Sequence, residues 1–290
     1  MSSTLLHGDC LEILRGMDSD SVDLVFCSPP YESARTYGIG FTLRGQDWVD
    51  WCVERFVECV RVSRGIVCWV VEGQTRRFRY SAAPLLLMAD LHRAGVHLRK
   101  PPIFARVGIP GSGGPDWLRN DYEFCAVGSK GGHIPWSDNT AMGHPPKWGP
   151  GGAMSHRLSN GQRVSQWGPF SGNAGQRRAN GSRQKKQRPS HAMTTKGRTI
   201  TREREGMHAQ TADSYRPPVL ANPGNLIRCK VGGGLMGSKL AHENEAPFPE
   251  SLAEFFVRSF CPPGGVVLDP FVGSGTTVAV AIKCGRSGIG

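Results

Sequence analysis

Two periods of apolar spacing run along this chain, and the switch between them marks its elements. The apolar runs in "SVDLVFCS" (21–28), interrupted between its end serines only by Asp23, and "GIVCWVVEG" (65–73) have the length and β-branched content of strands covered on both faces. Between them "QDWVDWCVERFVECVRV" (46–62) returns apolar residues at helical spacing, with Cys52, Phe56, Cys59 and Val60 on one side. "APLLLMADLHRAG" (83–95) predicts a second helix closed by Gly95, and "NDYEFCAVG" (120–128) a further short strand. Strands separated by helical patterns predict an α/β architecture, with a mostly parallel sheet carrying helices on both faces.

From about Gly131 the periodicity stops. "GHPPKWGPGGAMSHRLSNGQ" and "GNAGQRRANGSRQKKQRPSH" are dense in Gly, Pro, Ser, Asn and basic residues, which predicts long loops. Order resumes in "APFPESLAEFFVRSF" (246–260), a helix introduced by Pro249 with Leu252, Phe255, Phe256 and Phe260 spaced for burial. Then "VVLDPFVGSGTTVAVAIKCG" (266–285) reads as a strand, a glycine-rich turn and a helix from near Thr276 to Gly285. The chain is thus expected to divide into 1–130 and 241–290, two halves of one domain, with a loop-rich insertion at 131–240.

Charge sharpens that division. Residues 131–240 hold 17 Lys+Arg against 4 Asp+Glu, while the rest holds 18 against 20, so the whole net charge of +11 comes from the insertion. Such a segment suits a polyanion, and on duplex DNA each phosphate neutralised would contribute a salt slope of about −0.9. A solvated basic linker is the alternative. Trp136, Trp148, Trp167 and Phe170 interleave with these charges and suit either base stacking or a small local core. Arg177, Arg183 and Arg188 are among the segment's basic residues.

The nine cysteines are scattered without a CxxC pair, so neither a disulfide framework nor a zinc site is expected. No apolar run approaches the ~20 residues of a membrane span, and "MSSTLLHGDCLEIL" lacks a signal-peptide layout; a cytosolic protein is expected.

Two stretches carry chemistry. In "LDPFVGSGTT" a strand leads through a Gly-x-Gly turn into a helix, which sets backbone N–H groups and the positive helix end beside the strand's carboxyl edge. Asp269 can accept from a ligand amine while the Thr276 and Thr277 hydroxyls and helix amides receive a carboxylate, as the methionine part of S-adenosylmethionine would need. No nucleotide-triphosphate loop is present in this stretch. The second stretch is "CSPPYESARTYG" (27–38), where Pro29 and Pro30 end a strand and stiffen the backbone as it leaves the sheet. If the acceptor is an exocyclic base amine, the Ser28 hydroxyl and the Pro29 carbonyl could each accept one of its N–H bonds and direct the nitrogen lone pair at a methyl donor. Tyr31 would stack on the base, for about 1–3 kcal/mol, against the few kcal/mol needed to flip it from a duplex. Cys27 is expected to pack in the strand, and Glu72 ends a strand at the same edge as Ser28.

"SPPY" and "DPFVGSG" together resemble the catalytic and cofactor motifs of the amino-directed DNA methyltransferases, in the circularly permuted order of the β group. The resemblance covers roughly residues 4–130 and 216–290. It implies a Rossmann-like methyltransferase fold, S-adenosylmethionine as cofactor, and DNA, in duplex form, as partner to a monomer or homodimer. Ser28, Pro29, Pro30 and Tyr31 would be catalytic. Asp269, Pro270, Phe271, Gly273, Gly275, Thr276 and Thr277 would hold the cofactor, with Asp9 of "HGDCLEIL" near its adenine. "NDYEFCAVG" resembles the segment lining the flipped-base pocket, and "HENEAPFPESL", with His242 and Glu243, the one preceding the cofactor strand. In the family the strand begun by "GRSGIG" leads to an acidic residue that grips the cofactor ribose, a position past Gly290. A Ser before PPY usually accompanies cytosine N4 methylation, and Asp or Asn adenine N6. The competing expectations are an N6-adenine enzyme, an RNA or protein-amide methyltransferase, and an inactive DNA-binding scaffold.

Overall fold

The computed structural model describes residues 1–32, 40–108, 113–146, 219–231 and 248–290. The chain forms two compact units, Met1–Met142 together with Gly224–Gly290, and Gly143–Pro223. The second unit falls inside the 131–240 span expected as an insertion but is shorter at both ends, because Gly131–Met142 and Leu226–Lys230 belong to the first. In its described part, Ala221 N–H donates to the His144 carbonyl at 2.7 Å. Trp148, Trp167, Phe170, Arg177, Arg183, Arg188, His242 and Glu243 lie outside the described residues.

The first unit is built on one sheet. Its strands in chain order are β1 (Ser3–Thr4), β2 (Val22–Cys27), β3 (Ser63–Val71), β6 (His97–Leu98), β7 (Ile103–Val107), β8 (Tyr122–Ser129), β9 (Leu226–Lys230), β10 (Val266–Leu268) and β11 (Ser287–Ile289). A separate hairpin pairs β4 (Thr75–Arg76) with β5 (Arg79–Tyr80). Across the sheet the order is β1-β11-β10-β2-β3-β8-β7-β9, with β6 beside β8. The first five of these strands run parallel to one another; β8 runs antiparallel to β3, β6 and β7, and β9 returns parallel to β7. β9 alternates exposed and buried residues, as an end strand does, and that period of two is too short a signal to stand out among the surrounding loops.

The helices are α1 (Cys10–Gly16), α2 (Gly45–Val62), α3 (Ala83–Arg93), α4 (Glu250–Phe260) and α5 (Thr276–Lys283). They divide between the two faces because successive strand residues point to opposite sides. Val25, Cys27, Val67, Trp69 and Val71 join Leu14, Trp48, Phe56 and Leu87 of α1, α2 and α3 in one core. Leu24, Phe26, Ile66, Cys68 and Val70 join Leu252 and Phe256 of α4 and Val280 of α5 in the other. Burial on both faces is why β2, apart from Asp23, and β3 from Ile66 to Val71 read as apolar runs.

Within α2 the buried stripe takes in Trp48, Val49, Arg55 and Val62 besides Cys52, Phe56 and Cys59, while Val60 is only half-buried. Pro249 stands at the N-cap of α4, and its Phe256 is fully buried with its ring stacked 4.9 Å from Phe26. Gly65 permits the close pass of β3 over β2, since a Cβ there would meet the Asp23 carbonyl oxygen at 2.1 Å. Among the described residues no helix is long and apolar enough to cross a membrane.

The stacked phenylalanines give a direct check on this packing. Phe256→Ala is expected to lower stability by about 3–5 kcal/mol in denaturant unfolding, through lost transfer energy and the cavity left beside Phe26.

Candidate active site

Both chemical stretches leave the sheet at the same rim. β10 pairs parallel with β2 in the register Val267↔Leu24 and Leu268↔Val25, so Asp269 and Ser28 follow the carboxyl ends of adjacent strands, which lie roughly 4.8 Å apart. In an open parallel sheet this edge is where ligands settle.

The turn after β2 is held at one point and open at two. The indole N–H of Trp48, fully buried in α2, donates to the Pro30 carbonyl at 2.8 Å. Ser28 is half-buried, and among the described residues neither its hydroxyl nor the Pro29 carbonyl takes a hydrogen bond. The pair expected to grip an amine is therefore uncommitted within the described fold, while the next carbonyl is fixed. Tyr31 donates its hydroxyl to Glu123 Oε2 at 2.7 Å, and Arg106 pairs with Glu123 Oε1 at 3.2 Å. This chain of contacts runs from the turn to β8 and then β7. Sequence reasoning missed Trp48, Glu123 and Arg106: Trp48 looked like one more apolar residue of a helix, although Glu123 lies in the segment expected to line a base pocket.

Glu72 follows β3 on the same rim. Its Oε1 accepts from the Gly73 N–H at 2.7 Å and the Tyr80 hydroxyl at 3.3 Å, while its buried Oε2 has no hydrogen-bond partner among the described residues. Burial, with the nearby Glu123 charge adding to it, pushes the Glu72 carboxyl up to about 7, although Gly73, Tyr80 and Asn120 pull the other way.

On the other side, Asp269 is almost fully buried and accepts the Phe271 N–H at 3.0 Å. Burial raises its carboxyl to about 6, eased by the neighbouring Thr277 hydroxyl and the Phe271 N–H. Gly273 and Gly275 take positive φ of 48° and 84° to turn the chain into α5, whose first turn is capped by no side chain. Thr276 and Thr277 are both buried, and Thr277 Oγ1 has no well-formed hydrogen bond. Phe271 is partly buried, its ring 5.3 Å from Trp69 and 5.7 Å from Trp51, so it packs on the core beneath the turn.

Asp9 caps α1 by accepting from the Leu11 and Glu12 N–H groups, and it pairs with Arg55 at 3.4 Å. Partial burial opposes these contacts, but together they hold its carboxyl below the usual range. Cys27 is fully buried, and desolvation, then the Asp269 charge, pushes its thiol well up, as a packed residue should be. No group of three His, Cys, Asp or Glu able to hold a metal occurs among the described residues.

Beside Pro270 opens a cleft of ≈ 170 Å³ lined in large part by Leu6, Ile13, Leu268, Val272 and Ile289. Apolar walls suit the flat faces of a heterocycle, while the buried Asp269 carboxylate and the uncapped helix start offer an acceptor and donors for an ammonium and a carboxylate. The residues fit S-adenosylmethionine.

The fold and rim together define a methyltransferase of the Rossmann-like class. The chain belongs to the N6/N4 DNA methylase family, which matches residues 22–290. It is 24% identical over 275 residues to the orphan methyltransferase M.BamHII of Bacillus amyloliquefaciens, covering 93% of this chain and 83% of that one. Its fold resembles the PvuII cytosine-N4-specific DNA methyltransferase, at a TM-score of 0.62 and 17% identity, over 100% of this chain and 81% of that one. It also resembles a DNA modification methylase of Thermus thermophilus solved with S-adenosyl-L-methionine, at a TM-score of 0.51 and 20% identity, over 100% and 88% of the two chains. The protein is a DNA methyltransferase that uses S-adenosylmethionine.

The buried carboxylate has a consequence for stability. Because folding raises the Asp269 value from 3.8 to about 6, its ionised form disfavours the folded state. That cost is absent below about pH 4, grows as pH rises to about 6, and levels off at about 3 kcal/mol. Asp269→Asn is accordingly expected to raise the thermal midpoint of the ligand-free protein above about pH 7, with the difference closing toward about pH 4. An equal shift at both ends of that range would contradict the buried-charge account.

Proposed function

We propose that this enzyme methylates the exocyclic N4 of cytosine in duplex DNA, acting on a flipped base. The observation that carries the proposal is the pair of uncommitted acceptors, Ser28 Oγ and the Pro29 carbonyl, on the same rim as Asp269.

Each acceptor takes one N–H of the target amine. Holding both draws the nitrogen out of conjugation with the ring and turns its lone pair toward the donor side of the cleft. S-adenosylmethionine, when bound, supplies an electrophilic methyl group on a sulfonium. The Pro29–Pro30 backbone, fastened by Trp48, holds this geometry before substrate arrives. Tyr31 provides the stacking face, its hydroxyl tethered by Glu123.

Toward the cofactor, Asp269 accepts from the ammonium, and Gly273, Gly275, Thr276 and Thr277 present the helix start to the carboxylate. Pro270 and Phe271 shape the turn, and Asp9 sits at the adenine end. A hydroxyl at residue 28, where adenine enzymes usually carry Asp or Asn, supports cytosine. The basic segment between residues 131 and 240 serves target recognition, and the enzyme works in the cytoplasm, where its substrate lies.

The deciding experiment incubates unmodified DNA with labelled cofactor, digests it to nucleosides and identifies the labelled one. N4-methylcytosine is expected; N6-methyladenine would overturn the choice of base, and no labelled nucleoside would overturn the proposal. Ser28→Ala is expected to cut the rate by roughly 10²-fold, the scale of losing one oriented contact, with DNA affinity nearly unchanged in a binding titration.

Calorimetry tests the cofactor side. Because ionised Asp269 holds the ammonium more tightly than the neutral acid does, S-adenosylmethionine affinity should weaken, by up to about tenfold per pH unit, below about 6, and Asp269→Asn should flatten that profile.

A further inference from the structure

The hairpin after Glu72 reaches the rim through the Tyr80 hydroxyl, and its construction is costly. β4 and β5 pair as Thr75↔Tyr80 and Arg76↔Arg79, which leaves Arg77 and Phe78 as a two-residue loop. Both take positive φ, 49° and 62°. That geometry favours Asn-Gly, and each branched or bulky residue there costs about 1–2 kcal/mol.

Burial does not repay the strain. Phe78 is 70% exposed, and its ring meets the edge of Trp117, itself 40% exposed, at 5.7 Å. Leu118 beside it is 91% exposed. The hairpin is held from its base instead, by the Ser81 N–H on the Gln74 carbonyl at 2.8 Å, the Gln74 N–H on Ser81 Oγ at 3.1 Å, and Tyr80 on Glu72.

Its surface is of one sign. Arg76, Arg77 and Arg79 are exposed, and no Asp or Glu occurs from Gly73 to Ala82. An exposed aromatic among arginines, with no carboxylate in the hairpin itself, is complementary to a polyanion with stackable faces. The hairpin rises directly from the carboxyl end of β3, the parallel neighbour of the strand that leads into Ser28.

We infer that this hairpin is a DNA-contacting wedge: its arginines engage backbone phosphates beside the target, and Phe78 enters the base stack next to the extruded nucleotide. The inference rests on the flipped-base reading above. It adds a second element of contact, outside the basic 131–240 segment. Wedging side chains of this type offset the unstacking of the target by occupying the space it leaves.

Two measurements on the full-length enzyme test it. In equilibrium binding to a short fluorescent duplex, Arg77→Gln with Arg79→Gln should lower the slope of log affinity against log salt by about 1.8, two phosphate contacts' worth. An unchanged slope would overturn the contact. Next, Phe78→Ala should slow methylation of a duplex bearing the site that wild type modifies by roughly tenfold or more, and of the same duplex mismatched at the target by no more than about twofold. Phe78→Trp should restore the duplex rate. Equal slowing on both substrates would overturn the wedge, as would a docked protein or second copy of the chain whose binding, rather than DNA binding, is lost in these variants. If wild type methylates no DNA, the proposed function fails while the salt slope still decides the hairpin's contact.

Discussion

Everything at the site depends on the parallel pairing of β10 with β2. Parallel pairing sends both strands' carboxyl ends to one rim at the spacing of a single ladder, so two turns separated by about 240 residues in sequence become neighbours. The pairing is reinforced from the side chains, since Asp23 of β2 accepts the Val266 N–H of β10 at 2.8 Å and also pairs with Arg64 of β3 at 3.3 Å. Had the two strands paired antiparallel, the turn at Ser28 and the glycine turn would have faced opposite edges of the sheet.

On that rim the fold fixes some groups and leaves others open. Trp48 fastens Pro30 from inside the core, and Phe271 is wedged against Trp51 and Trp69, so neither turn relies on a ligand for its shape. The groups suited to binding are those the described fold does not use: the Ser28 hydroxyl, the Pro29 carbonyl and the start of α5. Two carboxyls sit there at raised values, Asp269 at about 6 and Glu72 at about 7, both chiefly because burial disfavours their charge. A partly desolvated carboxylate of this kind gains more from an incoming cation or donor than an exposed one, since its competing hydration has already been removed.

The same rim carries the contacts expected with DNA. The Tyr31–Glu123–Arg106 chain ties Tyr31 to β7 and β8, and the arginine-bearing hairpin begins just past Glu72. Base capture and duplex contact would then share one support, the carboxyl end of the central strands, where the backbone is least free to move because both faces are buried.

The elements and the local chemistry were legible along the chain. Two-sided burial wrote β2, apart from Asp23, and β3 from Ile66 to Val71 as apolar runs, α2 and α4 showed their stripes, Pro249 and Gly95 marked helix ends, and "SPPY" and "DPFVGSG" carried their meaning within a few residues, because strand, turn and cap preferences are local. Tertiary structure alone decided which residues meet. Trp48 on Pro30, Glu123 on Tyr31 and Arg106 on Glu123 join positions 18 to 92 residues apart or lie across neighbouring strands, and no spacing in the chain encodes them. The reversal at β8, the return of Leu226–Lys230 to the sheet beside β7, and the strained turn at Arg77–Phe78 were equally hidden. Strand direction and register arise from the whole sheet's hydrogen bonding and packing, and a left-handed backbone at an arginine and a phenylalanine runs against local preference, so only the assembled fold could reveal it.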